Sequence, residues 1–134
     1  MARVVFCGGP IPNPSNNFDE IDVLVRNTDP AQSATVVVRF YDLGVANNTV
    51  ETLVASQSST ITPQNSDSYQ FTNPMSLTNF AVDVRVDMNR SEEVIATAVM
   101  PSFTLLSSGD TVFEQFDRQF ICRPRGQLEV DFGS

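Results

Sequence analysis

The sequence predicts an all-β domain, an antiparallel two-sheet sandwich of the jelly-roll or immunoglobulin-like type. Short runs rich in β-branched and aromatic residues recur along the 134 residues, separated by turns of Asn, Asp, Pro, Gly and Ser, which is typical of sandwiches. In residues 80–87, Val82, Val84 and Val86 alternate with charged residues, as in a strand with one buried face. Helical spacing is sustained nowhere, and the length fits one hydrophobic core.

Nine segments are expected to be extended because β-branched or aromatic residues dominate each of them. In the first, Ile21, Val23 and Val25 share one face, and the turn cluster Asn27–Pro30 ends it. The third and fourth are short and are expected at an edge or in a crossover. In chain order the segments are 18–27, 34–41, 49–54, 59–62, 68–72, 80–87, 94–100, 111–116 and 119–122.

The two ends of the chain are expected to be arms around a sandwich of residues 18–123. Residues 1–17 form an N-terminal arm or connector, in which the short apolar segment Val4, Val5 and Phe6 precedes glycines and prolines. Residues 124–134 form a C-terminal arm, in which Leu128, Val130 and Phe132 alternate with polar residues. Each arm either folds back on its own sheet edge or donates a strand to a neighbouring copy.

Two cysteines, Cys7 and Cys122, lie at the roots of these arms. An intrachain disulfide would close nearly the whole chain and contribute about 4–5 kcal/mol in the chain-entropy model. An interchain disulfide is equally consistent with the spacing, because a neighbouring copy can reach the root of an arm. In a reducing compartment both residues are thiols. All three arrangements remain open at the level of sequence.

The charge composition argues against several classes of function. The net charge is −8, the basic residues are all arginine, and histidine is absent. Without histidine or lysine most familiar active sites are excluded, so no enzyme activity and no cofactor are expected. Phosphate backbones and anionic membranes are poor partners for such a chain. No apolar run suits a membrane helix and no signal peptide is visible, so we expect cytoplasmic synthesis followed by release to an extracellular, cell or spore surface.

No residue is predicted to be catalytic or to bind a metal. Two cysteines without histidine do not complete a zinc site. The row Asp83, Arg85 and Asp87 shares one face of its strand, and its central arginine favours an ion-pair row over a calcium site. Tyr41, Tyr69 and Phe103 are candidates for a sugar platform, although aromatic residues in strands more often belong to a core.

Four features together resemble the endospore-appendage pilins of spore-forming bacteria: Cys7-Gly8-Gly9, the turn Asn27–Pro30, the segment Thr60–Pro63 and the late Cys122. The resemblance implies a jelly-roll subunit that stacks by sheet augmentation. It also implies that Cys7, as the connector cysteine, bonds Cys122 of a neighbouring subunit. The chain departs from that family in having a single N-terminal cysteine and a longer C-terminal tail.

The sequence therefore favours a structural subunit that assembles with other copies of itself into an extracellular or surface fibre, by strand augmentation and with interchain disulfides as a further link. A virion structural protein, such as a tail or decoration protein, is one alternative. A monomeric immunoglobulin-like or carbohydrate-binding module is the other. Polymers or covalent ladders distinguish the first reading from a monomer without a disulfide.

Overall fold

The structure is a computed structural model that describes residues 1–12, 20–44, 50–72, 79–107 and 110–116. Within these residues the chain forms eight strands and one short helix, joined by turns. In chain order they are β1 (Ala2–Pro12), β2 (Glu20–Asn27), β3 (Ala34–Asp42), β4 (Thr52–Ile61), β5 (Asn65–Thr72), β6 (Asn79–Met88), α1 (Glu92–Ala98), β7 (Val99–Ser107) and β8 (Asp110–Phe116).

The strands form two four-stranded antiparallel sheets, which confirms the predicted two-sheet sandwich. Sheet A has the strand order β1-β6-β3-β4, and sheet B has the order β5-β2-β7-β8. Each sheet therefore combines one pair of consecutive strands, β3–β4 or β7–β8, with pairs that are far apart in sequence, such as β1–β6 and β2–β7. Chain crossovers of this kind are invisible to local pattern, since periodicity reports which residues share a face and not which strands are neighbours.

The core lies between the inner faces of the two sheets. Val82, Val84 and Val86 of β6 are all buried, as their alternation predicts, and Ile21, Val23 and Val25 of β2 face them from sheet B. Aromatic rings fill one region of the core, where Phe40 stacks on Phe71 and on Phe80 with ring centroids 5.3 Å apart in each pair. Such contacts stabilise the core beyond the burial of their area.

Residues 2–12 of the expected N-terminal arm form β1 and pair with β6 of the same chain, which is the fold-back alternative and not donation of a strand to a neighbour. Val4 and Phe6 lie opposite Val86 and Val84 in the core, and Val5 is buried on the other face of the sheet. Three large apolar side chains are removed from water in this way, so an exposed arm would lose the hydrophobic free energy of all three. Gly8 and Pro12 belong to the strand and not to a linker.

The expected strand over residues 94–100 is wrong for residues 94–98, because residues 92–98 form α1, while Val99 and Met100 begin β7. The Ser91 hydroxyl accepts a hydrogen bond from the Val94 backbone N–H at 3.3 Å, and Glu92 and Glu93 occupy the first turn. A serine cap and acidic residues at a helix N-terminus offset the unpaired N–H groups and the dipole there. Ile95 is fully buried and anchors the helix to the core.

The turn after β2 holds the helix at both ends. Arg90, just before α1, donates two hydrogen bonds to the Asp29 carboxylate, at 2.7 and 3.1 Å. The Thr28 backbone N–H and hydroxyl both donate to the Ala98 carbonyl in the last turn. Asn27 is completely buried and its amide donates to backbone carbonyls of Gln32 and Ile61. The predicted turn thus joins β2, β4 and α1 into one unit.

Candidate assembly surface

Strand β4 is the most exposed edge strand among those whose side chains the structure describes. The sequence predicts two short pieces here, 49–54 and 59–62, whereas Thr52–Ile61 form one continuous strand of 10 residues. It ends sheet A, as its expected edge position implies, and it pairs with β3 on one side only. Its other side therefore presents backbone N–H and C=O groups without a strand partner in the described chain.

The side chains of β4 leave this edge uncovered. The strand contains no charged residue, no proline and no glycine, and the sequence stays uncharged up to Ser66. Ser56, Ser58 and Thr60 are exposed on the outer face of the sheet. Leu53 and Val54 at the start of the strand are also exposed, by 49% and 47%, beside Val50 at 82%. Small polar groups and an apolar patch thus lie along one free edge.

Contacts with β5 hold β4 in place. The Gln57 amide donates to the Gln70 carbonyl at 2.8 Å, and the Ser59 and Tyr69 hydroxyl groups lie 2.6 Å apart. Burial of the phenol raises the pKa of Tyr69 above its ordinary value. In the turn between the strands, Gln64 adopts a positive φ of 59°. A strand fixed in this way loses little conformational entropy when it pairs with another strand.

Among the other edge strands of the described chain, β1 and β8 carry features that oppose strand pairing, and β5 contains the charged residue Asp67 and contacts β4. β1 contains Pro10 and Pro12, which lack a backbone N–H, and its pairing with β6 shifts register between Gly8 and Ile11. On β5, the Gln70 carbonyl already accepts a hydrogen bond from the Gln57 side chain. β8 includes Asp110 and Glu114 in its sequence, and its pairing with β7 shifts register. Prolines, bulges and charges are the usual protections of a sheet edge, and β4 has one register shift, near its start.

The predicted ion-pair row lies on the outer face of sheet A. Asp87 accepts a hydrogen bond from Arg3 at 2.8 Å and lies 3.6 Å from the Arg85 Nε. Asp83 is opposite Cys7 on one side and Arg39 on the other. Burial, with a smaller contribution from Glu51, raises the pKa of Asp83 to about 7, against the attraction of Arg39. Asp87 thus forms the ion pair with Arg85 that the ion-pair interpretation predicts, and a second one with Arg3, whereas burial dominates the environment of Asp83.

The predicted disulfide residues are only partly visible in the structure. Cys7 lies half-buried in β1, opposite Asp83, and is not a free thiol. Cys122, Leu128, Val130 and Phe132 lie outside the described residues, as do the strand expected over 119–122 and the whole expected C-terminal arm. The choice between intrachain and interchain bonding therefore stays a prediction.

The sugar platform is not formed, because Tyr41, Tyr69 and Phe103 are 9%, 3% and 4% exposed and lie on different strands. Within the described ranges, no group of three or more His, Cys, Asp or Glu residues is placed to hold a metal ion. Over the same part of the chain, no helix has the length and apolar character needed to cross a membrane.

Sequence reasoning missed β4 as the candidate surface and placed assembly in the two terminal arms. Residues 55–58, Ala-Ser-Gln-Ser, disfavour a strand in the sequence because they are small and three of the four are polar. A usable signal was nevertheless present: the run from Thr52 to Ser66 is free of charge in a chain whose net charge is −8. Such a run on the surface is where two copies approach each other with least repulsion.

Comparison with known proteins finds no matching family model and no matching curated protein. Among solved structures, a Thermotoga maritima protein numbered 1070 aligns with 87% of this chain and 92% of its own, at 11% identity and a TM-score of 0.47. The Anabaena sensory rhodopsin transducer aligns with 81% of this chain and 91% of its own, at 14% identity and a TM-score of 0.43. Neither likeness indicates a function.

Proposed function

We propose that this protein is a structural subunit that assembles with copies of itself into a fibre or surface layer by β-strand augmentation. The observation that carries the proposal is the free edge of β4, which is long, exposed and uncharged. Natural sandwiches usually protect such an edge, because unpaired main-chain groups act as a template for another strand. An edge left unprotected in a small acidic domain is best explained by a partner strand.

The mode of augmentation differs from simple donation of the N-terminal arm. The backbone of residues 2–12 is already paired with β6, so that segment is not available to a neighbour without loss of part of the core. Assembly is therefore proposed to use sheet edges of folded subunits. The C-terminal residues Leu128, Val130 and Phe132, whose alternation suits a strand, remain a second proposed contact.

Disulfide bonding gives this proposal two distinct forms. Cys7 is in β1, at the edge of sheet A opposite β4. A bond from Cys7 to Cys122 of the same chain would tie the C-terminal segment to that edge, whereas a bond to another copy would add a covalent link between subunits. In the second form each subunit contacts one neighbour through β4 at one edge of sheet A and another neighbour through Cys7 at the opposite edge. Two such contacts are the fewest that can build an extended polymer.

The proposed setting is an extracellular or spore surface, where disulfides persist and a covalently supported polymer resists dilution. No catalytic role is assigned to any residue. The acidic surface fits this setting, because a net charge of −8 keeps free subunits apart until they meet at the uncharged edge.

The proposal is tested with purified full-length protein over a range of concentrations. Sedimentation velocity and negative-stain microscopy should reveal species larger than a monomer that grow with concentration. Gels run with and without reductant then separate the two forms of disulfide bonding, since only interchain bonds give a covalent ladder. A single monomeric species at every concentration, in the oxidised protein, would reject self-assembly and favour a monomeric binding module.

A further inference from the structure

Among the strands of this protein, the partner that fits the free edge of β4 best is the β4 strand of a second copy. We propose that two copies pair their β4 strands antiparallel about a two-fold axis, which joins two four-stranded sheets into one continuous sheet. The inference rests on the proposed function and specifies its first contact. The partner is a second copy of this chain, and the surface is residues 52–61.

The chemistry of the edges excludes the main competitor, a head-to-tail junction of β4 with β1. The second half of β1 contains Pro10 and Pro12, so that two of its main-chain donors are missing, and a register shift interrupts it after Gly8. By contrast β4 pairs regularly with β3 from Ala55 to Ile61 and contains no proline. Of the two edge strands of sheet A in the described chain, β4 is the one that offers an uninterrupted set of donors and acceptors from Ala55 to Ile61.

Symmetry makes β4 complementary to itself. A two-fold axis normal to the sheet turns β4 into an antiparallel neighbour and keeps the outer face of each copy on the same side. The outer-face residues near the centre of the strand are Ser56 and Ser58, both exposed and small. Serine and threonine pairs across an antiparallel junction form hydrogen bonds and leave room for close approach.

Charge supports the same partner. Two copies with a net charge of −8 repel each other over most of their surfaces. The nearest charged residues in sequence are Glu51 before β4 and Asp67 in β5, so the strand itself brings no like charges together. The exposed Leu53 and Val54 of one copy would lie near the end of the other copy's strand, where Thr62 and Pro63 follow, and would lose contact with water there.

The test uses charges that repel in a symmetric junction and attract in a mixed one. One double variant, Ser56→Lys with Ser58→Lys, places lysines at the centre of the edge, and a second, Ser56→Glu with Ser58→Glu, places glutamates there. Each variant alone should associate at least about tenfold more weakly than wild type, because like charges meet across the axis. An equimolar mixture should regain association to within about threefold of wild type.

Matched controls carry the same substitutions on the other sheet. Ser66 and Ser68 are exposed on β5, so Ser66→Lys with Ser68→Lys, and the corresponding glutamate pair, change the net charge equally without touching β4. These controls should associate like wild type. Circular dichroism and thermal unfolding of all four variants confirm that the fold is kept. Amide exchange provides a second readout, since residues 52–61 should exchange more slowly as wild-type concentration rises.

The outcomes separate this inference from the proposed function. Weak association of each β4 variant with recovery in the mixture supports the two-fold pairing, whether the dimers grow further or not. Filaments that the β4 substitutions leave unchanged would overturn the pairing while the proposed function stands. Weakening without recovery in the mixture would also overturn it, because that pattern belongs to a junction between two different edges. Dimers with recovery that never grow into polymers would leave the pairing standing and remove the fibre.

Discussion

Gly8 occupies a position in β1 where a larger side chain would collide with the core. A Cβ atom built at Gly8 would lie 2.8 Å from Cε1 of Phe103 in β7 and 3.5 Å from the Val82 carbonyl oxygen. Phe103 is buried, so its ring has little space into which to move. The glycine therefore allows sheet A and sheet B to approach each other beside the ring. In the sequence Gly8 lies next to Gly9 and Pro10 and therefore suggests a linker. Its close contact is not visible there, because Phe103 lies 95 residues later in the chain.

We expect Gly8→Ala to lower the free energy of unfolding by about 1–3 kcal/mol, as overpacking of a filled core does. Urea unfolding followed by circular dichroism measures this change. Phe103→Leu provides the matched test, since a smaller side chain makes room for the added methyl group. In the Phe103→Leu background the cost of Gly8→Ala should fall by about 1 kcal/mol or more. Equal costs in the two backgrounds would show that the contact with Phe103 is not the cause.

Asp83 is a residue whose burial makes stability depend on pH. Its pKa is raised from 3.8 to about 7, mainly by burial and also by Glu51. In the unfolded chain the carboxyl group ionises near its ordinary pKa, whereas in the folded protein it keeps its proton until near pH 7. The folded state therefore loses stability as pH rises between these two values, and the loss is complete above the folded pKa.

We expect Asp83→Asn to raise the free energy of unfolding at pH 8 by about 1–2 kcal/mol, after allowance for solvent screening at a partly exposed site, and to leave it unchanged near pH 4. Urea unfolding at the two pH values measures the difference. Asp67→Asn, on the other sheet, removes one negative charge elsewhere and serves as the control. A similar gain from Asp67→Asn would assign the effect to net charge and not to the burial of Asp83.

At the scale of elements, α1 is a helix formed from residues that favour a strand. The run Val94-Ile95-Ala96-Thr97 contains β-branched side chains, and the helix has only 7 residues, so no amphipathic repeat can develop. Its boundaries are set instead by Ser91 at the start and by Thr28, which donates to the Ala98 carbonyl, at the end. The N-terminal signal, serine followed by two glutamates, is present in the sequence. The C-terminal signal comes from a distant turn and is not.

We expect Ser91→Ala to destabilise the protein by about 0.5–1 kcal/mol, because the Val94 N–H loses its side-chain acceptor at the helix N-terminus. Thermal or urea unfolding measures the loss. Ser91→Asp keeps an acceptor at the same position and should restore the stability of wild type. If Ser91→Asp is as unstable as Ser91→Ala, the hydroxyl contributes by some means other than capping.

Strands with two-residue periodicity were predictable, and strands without it were not. β2, β3 and β6 occur where expected, and their inward residues are the buried ones, because each strand has one face on the core. The sequence leaves the partner of β1 open, because Val4, Val5 and Phe6 are consecutive apolar residues without two-residue alternation, and Val5 is buried on the outer face of the sheet. The sequence predicts β4 as two pieces because the middle of its inner face carries Gln57 and Ser59 and not apolar residues. These two side chains form hydrogen bonds with Gln70 and Tyr69 of β5.

At the scale of the whole molecule, the fold separates a charged surface on the outer face of sheet A from the uncharged edge formed by β4. The ion-pair row of Asp83, Arg85 and Asp87 lies on the outer face of sheet A, with Arg3 of β1 beside it, whereas β4 at the end of that sheet has no charged residue. This separation depends on sheet order, which the sequence does not reveal. Composition alone indicates an acidic protein, and only the fold places its neutral segment along a free edge.

The net charge of −8 has a consequence for assembly that depends on salt. If subunits meet through the uncharged β4 edge, the remaining Coulomb interaction between them is repulsive, and salt screens it over a Debye length of about 10 Å at 0.1 M. We therefore expect the dissociation constant to fall about three- to tenfold between about 20 mM and about 300 mM sodium chloride. Sedimentation velocity at a fixed pH of about 8 keeps Asp83 mostly ionised during the series, since its pKa is about 7. An interface held by ion pairs, such as one through the row on sheet A, would weaken over the same range. The sign of the salt dependence thus identifies which surface of sheet A joins the subunits.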